Sequence, residues 1–278
     1  MKPDFPSTPN LSKDESPSKP VFPDGPAALV VAHPGHELRV YGWLRLARPA
    51  LVVLTDGSGH TGRSRLSSTT KLGAEAGVRF SPIYGRLTDI DVYRAVLDCN
   101  SQLFTNLTDE LTHNLVRDGI TCVVGDAMEG YNPAHDVCRM LINASVELAR
   151  RRHGHVIANF DFSLVGDPSA AGAEDGAIRL RLEESLHSQK LAAARAYSEL
   201  STDVGYALGS FGADAFQVEH IRRVDGSPFG AGVFGESPFY EKYGEKQVSE
   251  GHYDEVLRHE QHMIPLSEAL RVYVEHWS

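Results

Sequence analysis

The chain of 278 residues is short of cysteine and tryptophan and has no excess of positive charge. Its three cysteines, Cys99, Cys122 and Cys138, are odd in number and form no Cys-x-x-Cys pair, which argues against a disulfide framework. Cys122 falls in an apolar run and Cys138 on an amphipathic face, so buried thiols in a reducing cytosol are expected. No apolar run approaches the ~18 residues of a membrane span. Lysine and arginine number 27 against 37 aspartates and glutamates, for a net charge of −10. That balance disfavours non-specific binding to nucleic acid or anionic membrane, both of which need a basic surface. No internal repeat is visible. Hydrophobic content of 41% and charged content of 23% remain, and these are ordinary for a soluble globular domain.

Residues 1–25 carry Pro3, Pro6, Pro9, Pro17, Pro20 and Pro23 among Ser and Lys. This composition lacks the apolar centre of a signal peptide and predicts a disordered leader, with one domain over 26–278. The domain opens on Ala28-Leu-Val-Val-Ala-His-Pro-Gly-His-Glu-Leu-Arg39. The run Ala28 to Ala32, between Pro26 and Pro34, predicts a buried strand of a parallel sheet. A helical period begins with Leu38, Tyr41 and Leu44. His33 and His36 therefore fall in a strand-to-helix turn at the carboxyl end of the first strand, the edge where open α/β sheets bind ligands. Such a turn is able to aim two imidazoles at one metal ion; a pair of polar turn histidines is the alternative.

Similar units follow. Ala50 to Thr55 predicts a second buried strand, leading into Asp56-Gly-Ser-Gly-His-Thr-Gly62 and a helix over 64–76. Gly57, Gly59 and Gly62 fit Gly-x-Gly-x-x-Gly, yet the strand near Val78 to Tyr84 ends in Gly85 without the acidic residue a dinucleotide ribose requires. A substrate loop is preferred here, with nucleotide binding as the competing reading. An apolar stripe over 88–118 predicts helix with a possible break. Ile120 to Gly125 is the next strand. Its loop ends at Asn132, a helix cap, and Pro133, which fits the first helical position, so His135 lies in the first turn of a helix running to about Arg151. Val156 to Phe162 predicts a strand, 166–176 a flexible connection or lid, 183–200 a helix, and 213–224 another strand. A Gly/Pro/aromatic segment and a helical tail from about Tyr253 complete a C-terminal extension, 205–278. His259 and His262 are either a second metal pair or, preferably, a solvated helix face.

Ala-His-Pro-x-x-Glu after an apolar strand near the start of the chain resembles the signature of the PIG-L/LmbE-type zinc-dependent N-deacetylases, which remove acyl groups from amino sugars and related glycosides. The family pattern is Ala-His-Pro-Asp-Asp-Glu, in which the His and the second Asp bind metal and the first Asp is the general base. Those positions are His33, His36 and Gly35 here, so one ligand is kept, one exchanged, and the base is missing. A loop ending His-x-x-His supplies the family's third ligand; His135 matches it, and Asn132 stands where the earlier histidine assists the carbonyl. The resemblance, covering roughly 28–200, implies a Rossmann-like three-layer α/β/α fold with a mostly parallel sheet. It implies Zn2+ or another divalent ion on His33, His36 and His135. It also implies that Arg63 or Arg65 faces a small-molecule substrate, although each equally suits a surface position near a helix start. The Lys190 and Tyr197 pair resembles the spacing of the family's late helix.

Three neutral imidazoles leave the centre with one more positive charge than an aspartate-containing set. Such a centre acidifies water more strongly and partly offsets the absent base at Gly35. Amide cleavage also needs a proton for the leaving amine; Asp56, Asp126, Glu129 and Asp136 are the nearby carboxylates in sequence, with Asp126, Asp136 and Asn132 the catalytic candidates. The expected function is a metal-dependent hydrolase of an N-acyl amino sugar or related glycoside. The alternatives are a non-hydrolytic metal- or ligand-binding protein on the same scaffold and a nucleotide-dependent enzyme using Gly57 to Gly62.

Overall fold

The computed structural model describes residues 22–168, 177–224, 229–232 and 234–277. Most of the expected leader, and the 169–176 part of the expected lid, lie outside the described residues. Among the described residues seven strands form one sheet: β1 (Ala27–Val31), β2 (Ala50–Thr55), β3 (Arg79–Leu87), β4 (Cys122–Asp126), β5 (Ala158–Phe162), β6 (Ile178–Arg181) and β7 (Val218–Arg223). Their order is β3-β2-β1-β4-β5-β7-β6. The first five are parallel, whereas β7 runs antiparallel to both β5 and β6. Helices α1 (Tyr41–Ala47), α2 (Leu66–Ala76), α3 (Asp89–Leu97), α4 (Ser101–Arg117) and α5 (Pro133–His153) belong to the parallel half. Helices α6 (Glu184–Ala196), α7 (Ser201–Phe211), α8 (Phe239–Ser249) and α9 (Ile264–Glu275) follow.

Alternation along the strands builds two cores. Ala28, Val30 and Ala32 of the β1 segment join Val52, Phe104, Leu141 and Leu270 on one face, while Leu29 and Val31 join Val53, Trp43, Leu72 and Tyr197 on the other. Side chains of period two, apolar on both sides, require helices on both sides. The molecule is thus a three-layer α/β fold with a mostly parallel sheet, as expected. Among the described residues no helix is long and apolar enough to cross a membrane.

Helix ends follow the local sequence. Asn132 accepts the Ala134 amide at 2.9 Å, Pro133 opens α5, and Gly154 ends it in the left-handed conformation, as the capping rules require. The break within 88–118 falls between α3 and α4; Thr88 and Asp91 form a reciprocal cap at one start and Asn100 caps the other. The later chain departs from expectation. Strand β6 and helices α7 and α8 are additional, β7 begins at Val218 rather than Ala213, and α9 begins at Ile264 after a single wide turn over His259–Met263. Of the three cysteines, Cys122 and Cys138 are buried and Cys99 is exposed; all are free thiols.

The strand order reverses between β1 and β4. Connections leave β1 toward β2 and β4 toward β5, on opposite sides, which opens a crevice at their carboxyl ends. His33 follows β1 and His135 follows β4, so both sequence-predicted turns border this crevice. Arg139, fully buried on α5, braces it from below. Its guanidinium donates to the carbonyls of Asp126 (2.6 Å) and Phe160 (3.1 Å) and to the Asn159 side chain (3.0 Å).

Candidate metal centre

The three predicted histidines come together. Ring centroids lie 5.2 Å apart for His33 and His36, 5.1 Å for His33 and His135, and 4.6 Å for His36 and His135. His33 and His135 are buried and His36 partly so.

Two of the rings are fixed from behind. His33 Nδ1 lies 2.9 Å from Asp89 Oδ1 and 2.8 Å from the Thr55 hydroxyl, and that hydroxyl donates to the same carboxylate oxygen at 2.5 Å. The Gly59 amide donates to the other Asp89 oxygen, also at 2.5 Å. His36 Nδ1 lies 2.9 Å from Asp126 Oδ2, which also accepts the Ala32 amide at 2.7 Å. An ionised carboxylate only accepts, so Nδ1 of each ring carries a proton toward its carboxylate and Nε2 is turned the other way. Nε2 of His33 and Nδ1 of His135 are both buried without a hydrogen-bond partner, as is Oδ1 of Asp126. Buried polar atoms left unpaired are uncommon and call for an explanation.

The electrostatics keep two of the imidazoles neutral. Burial holds His36 below the ordinary histidine value, against the opposing pull of Asp126. His135 is held well below it, by burial first and then by His36, His33 and Arg65. Burial acts to raise the carboxyl of Asp89, but its hydrogen bonds to His33, the Thr55 hydroxyl and the Gly59 amide hold it low. Among the described residues no group of three or more His, Cys, Asp or Glu side chains is placed, as it stands, to hold a metal ion. The centre is a gathering of rings, two of them carboxylate-backed.

The other predicted residues are dispersed. Asn132 uses its side-chain oxygen on the α5 cap. Asp136 is buried; its Oδ1 accepts the Glu129 and Gly130 amides at 3.0 and 3.2 Å, Oδ2 has no partner, and burial lifts its carboxyl to about 7. Asp56 caps its own loop through the Ser58 amide, and Glu129 accepts the Leu164 amide. Arg65 closes the glycine loop by donating from Nε to the Gly57 carbonyl at 2.6 Å, while Arg63 is exposed. A Cβ on Gly57 would lie 2.6 Å from Arg65 Nε, which explains the glycine without a nucleotide.

Gly35 has φ of 107°, and a Cβ built there would stand 2.3 Å from Leu200 Cδ1. Position 35 is therefore covered by the turn after α6. The amide of Gly35 donates to buried Glu37 at 2.7 Å, and Glu37 also accepts from Thr69, itself bonded to Tyr197. The C-terminal pair does not form the expected solvated face, since His259 is partly buried and His262 buried. His259 Nδ1 lies 3.0 Å from the Tyr240 hydroxyl, and buried His262 accepts the Arg258 amide at 2.8 Å. Sequence reasoning missed Asp89. Its signal was weak: an acidic residue at a helix start reads simply as a favourable first-turn charge.

No model of a known protein family and no curated protein matches the chain. Among solved structures it is similar to a triple-mutant deacetylase of the teicoplanin biosynthetic pathway, with 15% identity, 73% of this chain and 100% of that chain covered, and a TM-score of 0.46. It is also similar to the zinc-inhibited form of the teicoplanin deacetylase Orf2, with 14% identity, 72% and 100% coverage, and a TM-score of 0.47. Similarity at this level bears on neither the reaction nor the substrate of this chain.

Proposed function

We propose that the chain is a metal-dependent hydrolase of an N-acyl amino sugar or related glycoside, with a zinc or similar divalent ion held by His33, His36 and His135. The observation that carries this reading is the carboxylate backing of two gathered rings together with the buried, unpaired nitrogens of His33 and His135. Metal-binding histidines characteristically give their other ring nitrogen to a carboxylate. Three rings on one tetrahedral ion, bonded at ~2.0–2.1 Å, would have centroids roughly 5 Å apart, in keeping with the separations of 4.6 to 5.2 Å. A donor set of three imidazoles suits zinc.

Such an ion, when bound, polarises a carbonyl and acidifies water. The chain's own residues supply the rest. Asp89 and Asp126 hold protons at Nδ1 of His33 and His36 and thereby fix which nitrogen faces the crevice. Arg65, tied into the glycine loop, brings positive charge to the same edge. Asp126, which faces His36, retains one unpartnered carboxylate oxygen and is the candidate proton carrier for the leaving amine, while Asp136 holds its free oxygen on the β4–α5 loop away from the rings.

A non-hydrolytic binding protein is the second reading. It is favoured by one observation: Leu200 stands where a carboxylate base at position 35 would have to go. Metal analysis of the purified chain, with acyl release measured over a panel of N-acyl amino sugars, separates the two. Hydrolysis that is lost on chelation and restored by zinc supports the hydrolase. Stoichiometric zinc without turnover of any member supports the binding protein, and no metal uptake at all defeats both metal-dependent readings.

A further inference from the structure

Beyond its parallel half the sheet comes apart locally. Strands β5 and β7 pair at two positions, Phe160 with Arg223 and Asp161 with Arg222. Strand β7 pairs with β6 along Val218 to Ile221, and β5 stays on β4 as far as Phe162. Past Asp161 the two strands diverge, and a pocket of about 320 Å³ opens between them. Neighbouring residues of a strand point to opposite faces, so a pocket lined by both Glu219 and His220 reaches into the gap itself. Its volume is at the lower end of small-molecule sites, and none of His33, His36 and His135 lines it.

The polar lining is charged and unevenly paired. Lys190 and Glu219 neutralise one another at 2.8 Å, and Glu219 is further occupied by the Gly42 and Trp43 amides. Arg222 is held by Asp161 at 2.7 Å. Arg39 differs. It comes from the single turn His36–Val40, gives one N–H to the Leu164 carbonyl at 2.5 Å and stands 6.0 Å from the centre of the Phe216 ring. Among the described residues it forms no ion pair, and Asp167 and Glu129 act on its charge from a distance. His220 is the second unmet group. Both of its ring nitrogens are buried without a hydrogen-bond partner. Burial first, then the charge of Arg179, holds this ring below the ordinary histidine value, so it presents one donor and one acceptor.

These two groups define what the pocket suits. A guanidinium with no carboxylate of its own takes a planar anion through paired hydrogen bonds. One uncompensated positive charge calls for a monoanion; a phosphate dianion would bring a second negative charge up to Glu219 and Asp167. The imidazole calls for a hydroxyl, which donates and accepts, and Phe162, Phe216 and Val218 offer walls to a small apolar body. Water alone satisfies His220 but leaves the charge of Arg39 unbalanced.

We propose that this pocket binds a small carboxylate that also carries a hydroxyl, gripped by Arg39 and His220. The assignment does not depend on the hydrolase reading.

The test is calorimetric titration of the full chain with mandelate, compared with mandelamide, phenylacetate and inorganic phosphate. Mandelate is expected to bind about tenfold more tightly than neutral mandelamide, and severalfold more tightly than phenylacetate, which lacks the hydroxyl. Arg39→Gln should weaken mandelate about tenfold, with thermal melting confirming the fold. His220→Phe should remove the preference for mandelate over phenylacetate without lowering Tm, because it deletes two unpaired buried nitrogens; it carries the test if Arg39→Gln does not fold. A hydroxy acid also chelates metal, so the titrations are repeated with a chelator and in His33→Ala, where unchanged affinity is expected. Binding lost with the metal would move the ligand to the histidine centre and end the proposal. So would binding of neither carboxylate, mandelamide binding as well as mandelate, phosphate binding more tightly than both acids, or affinities untouched in both variants.

Discussion

His33 and His36 are oriented by carboxylates that come from different elements, Asp89 from the start of α3 and Asp126 from the end of β4. Asp89→Asn keeps an acceptor for the ring proton but removes the charge that makes the imidazole a stronger donor to metal. Zinc affinity should fall about 10- to 100-fold in a competition titration, with melting of the metal-free chain little changed; unaltered affinity would detach Asp89 from the centre. Gly35 makes a second residue-level case. Gly35→Asp brings a Cβ to within 2.3 Å of Leu200 at a φ of 107°, so it should destabilise by about 1–3 kcal/mol in denaturant unfolding. Combining it with Leu200→Ala should recover part of that loss, and an undiminished midpoint in the single variant would disprove the clash. The three histidines were legible because each follows an apolar strand at a recognisable helix start. Asp89 and Leu200 were not, because their relation to His33 and Gly35 exists only after the sheet assembles.

At the scale of elements, the turn bearing His36 is held by a buried pair far along the chain. Glu219 of β7 accepts the amides of Gly42 and Trp43 at 2.7 and 2.9 Å and the Lys190 ammonium at 2.8 Å, while Lys190 also donates to the Arg39 carbonyl. This clamp joins α6 and β7 to the start of α1. Lys190→Met leaves the Glu219 carboxylate buried with two amides and no cation, which should cost about 3–5 kcal/mol in chemical denaturation. Adding Glu219→Gln should restore part of it, and purely additive losses would mean the two side chains are not coupled. The parallel half of the fold was readable because its strands are continuous apolar runs separated by amphipathic helices. Strand β6 alternates as Ile178, Arg179, Leu180, Arg181 over four residues, too short a period to stand out. Helix α8 contains Gly244 and a run of aromatics, so its tertiary packing, including Tyr240 against the β4–α5 loop, decides a conformation that local propensity leaves open.

For the whole molecule, the question is whether the crevice and the C-terminal extension contribute stability independently. A ligand that binds only the folded chain raises stability by RT ln(1 + [L]/Kd), about 2.7 kcal/mol at a hundredfold excess over Kd. For a domain of this size that corresponds to roughly 5–10 °C in Tm. Zinc should therefore raise the Tm of the wild type by that amount, reversibly on chelation. His33→Ala should abolish the increment because the ligand is gone. His262→Ala should behave differently: its ring is buried and accepts the Arg258 amide, so its loss lowers the baseline Tm while leaving the zinc increment intact. The two histidines thus separate a metal-linked term from a packing term in one series of melting curves. An increment that survives His33→Ala, or disappears in His262→Ala, would place the metal away from the junction of β1 and β4 and remove the ground for the hydrolase.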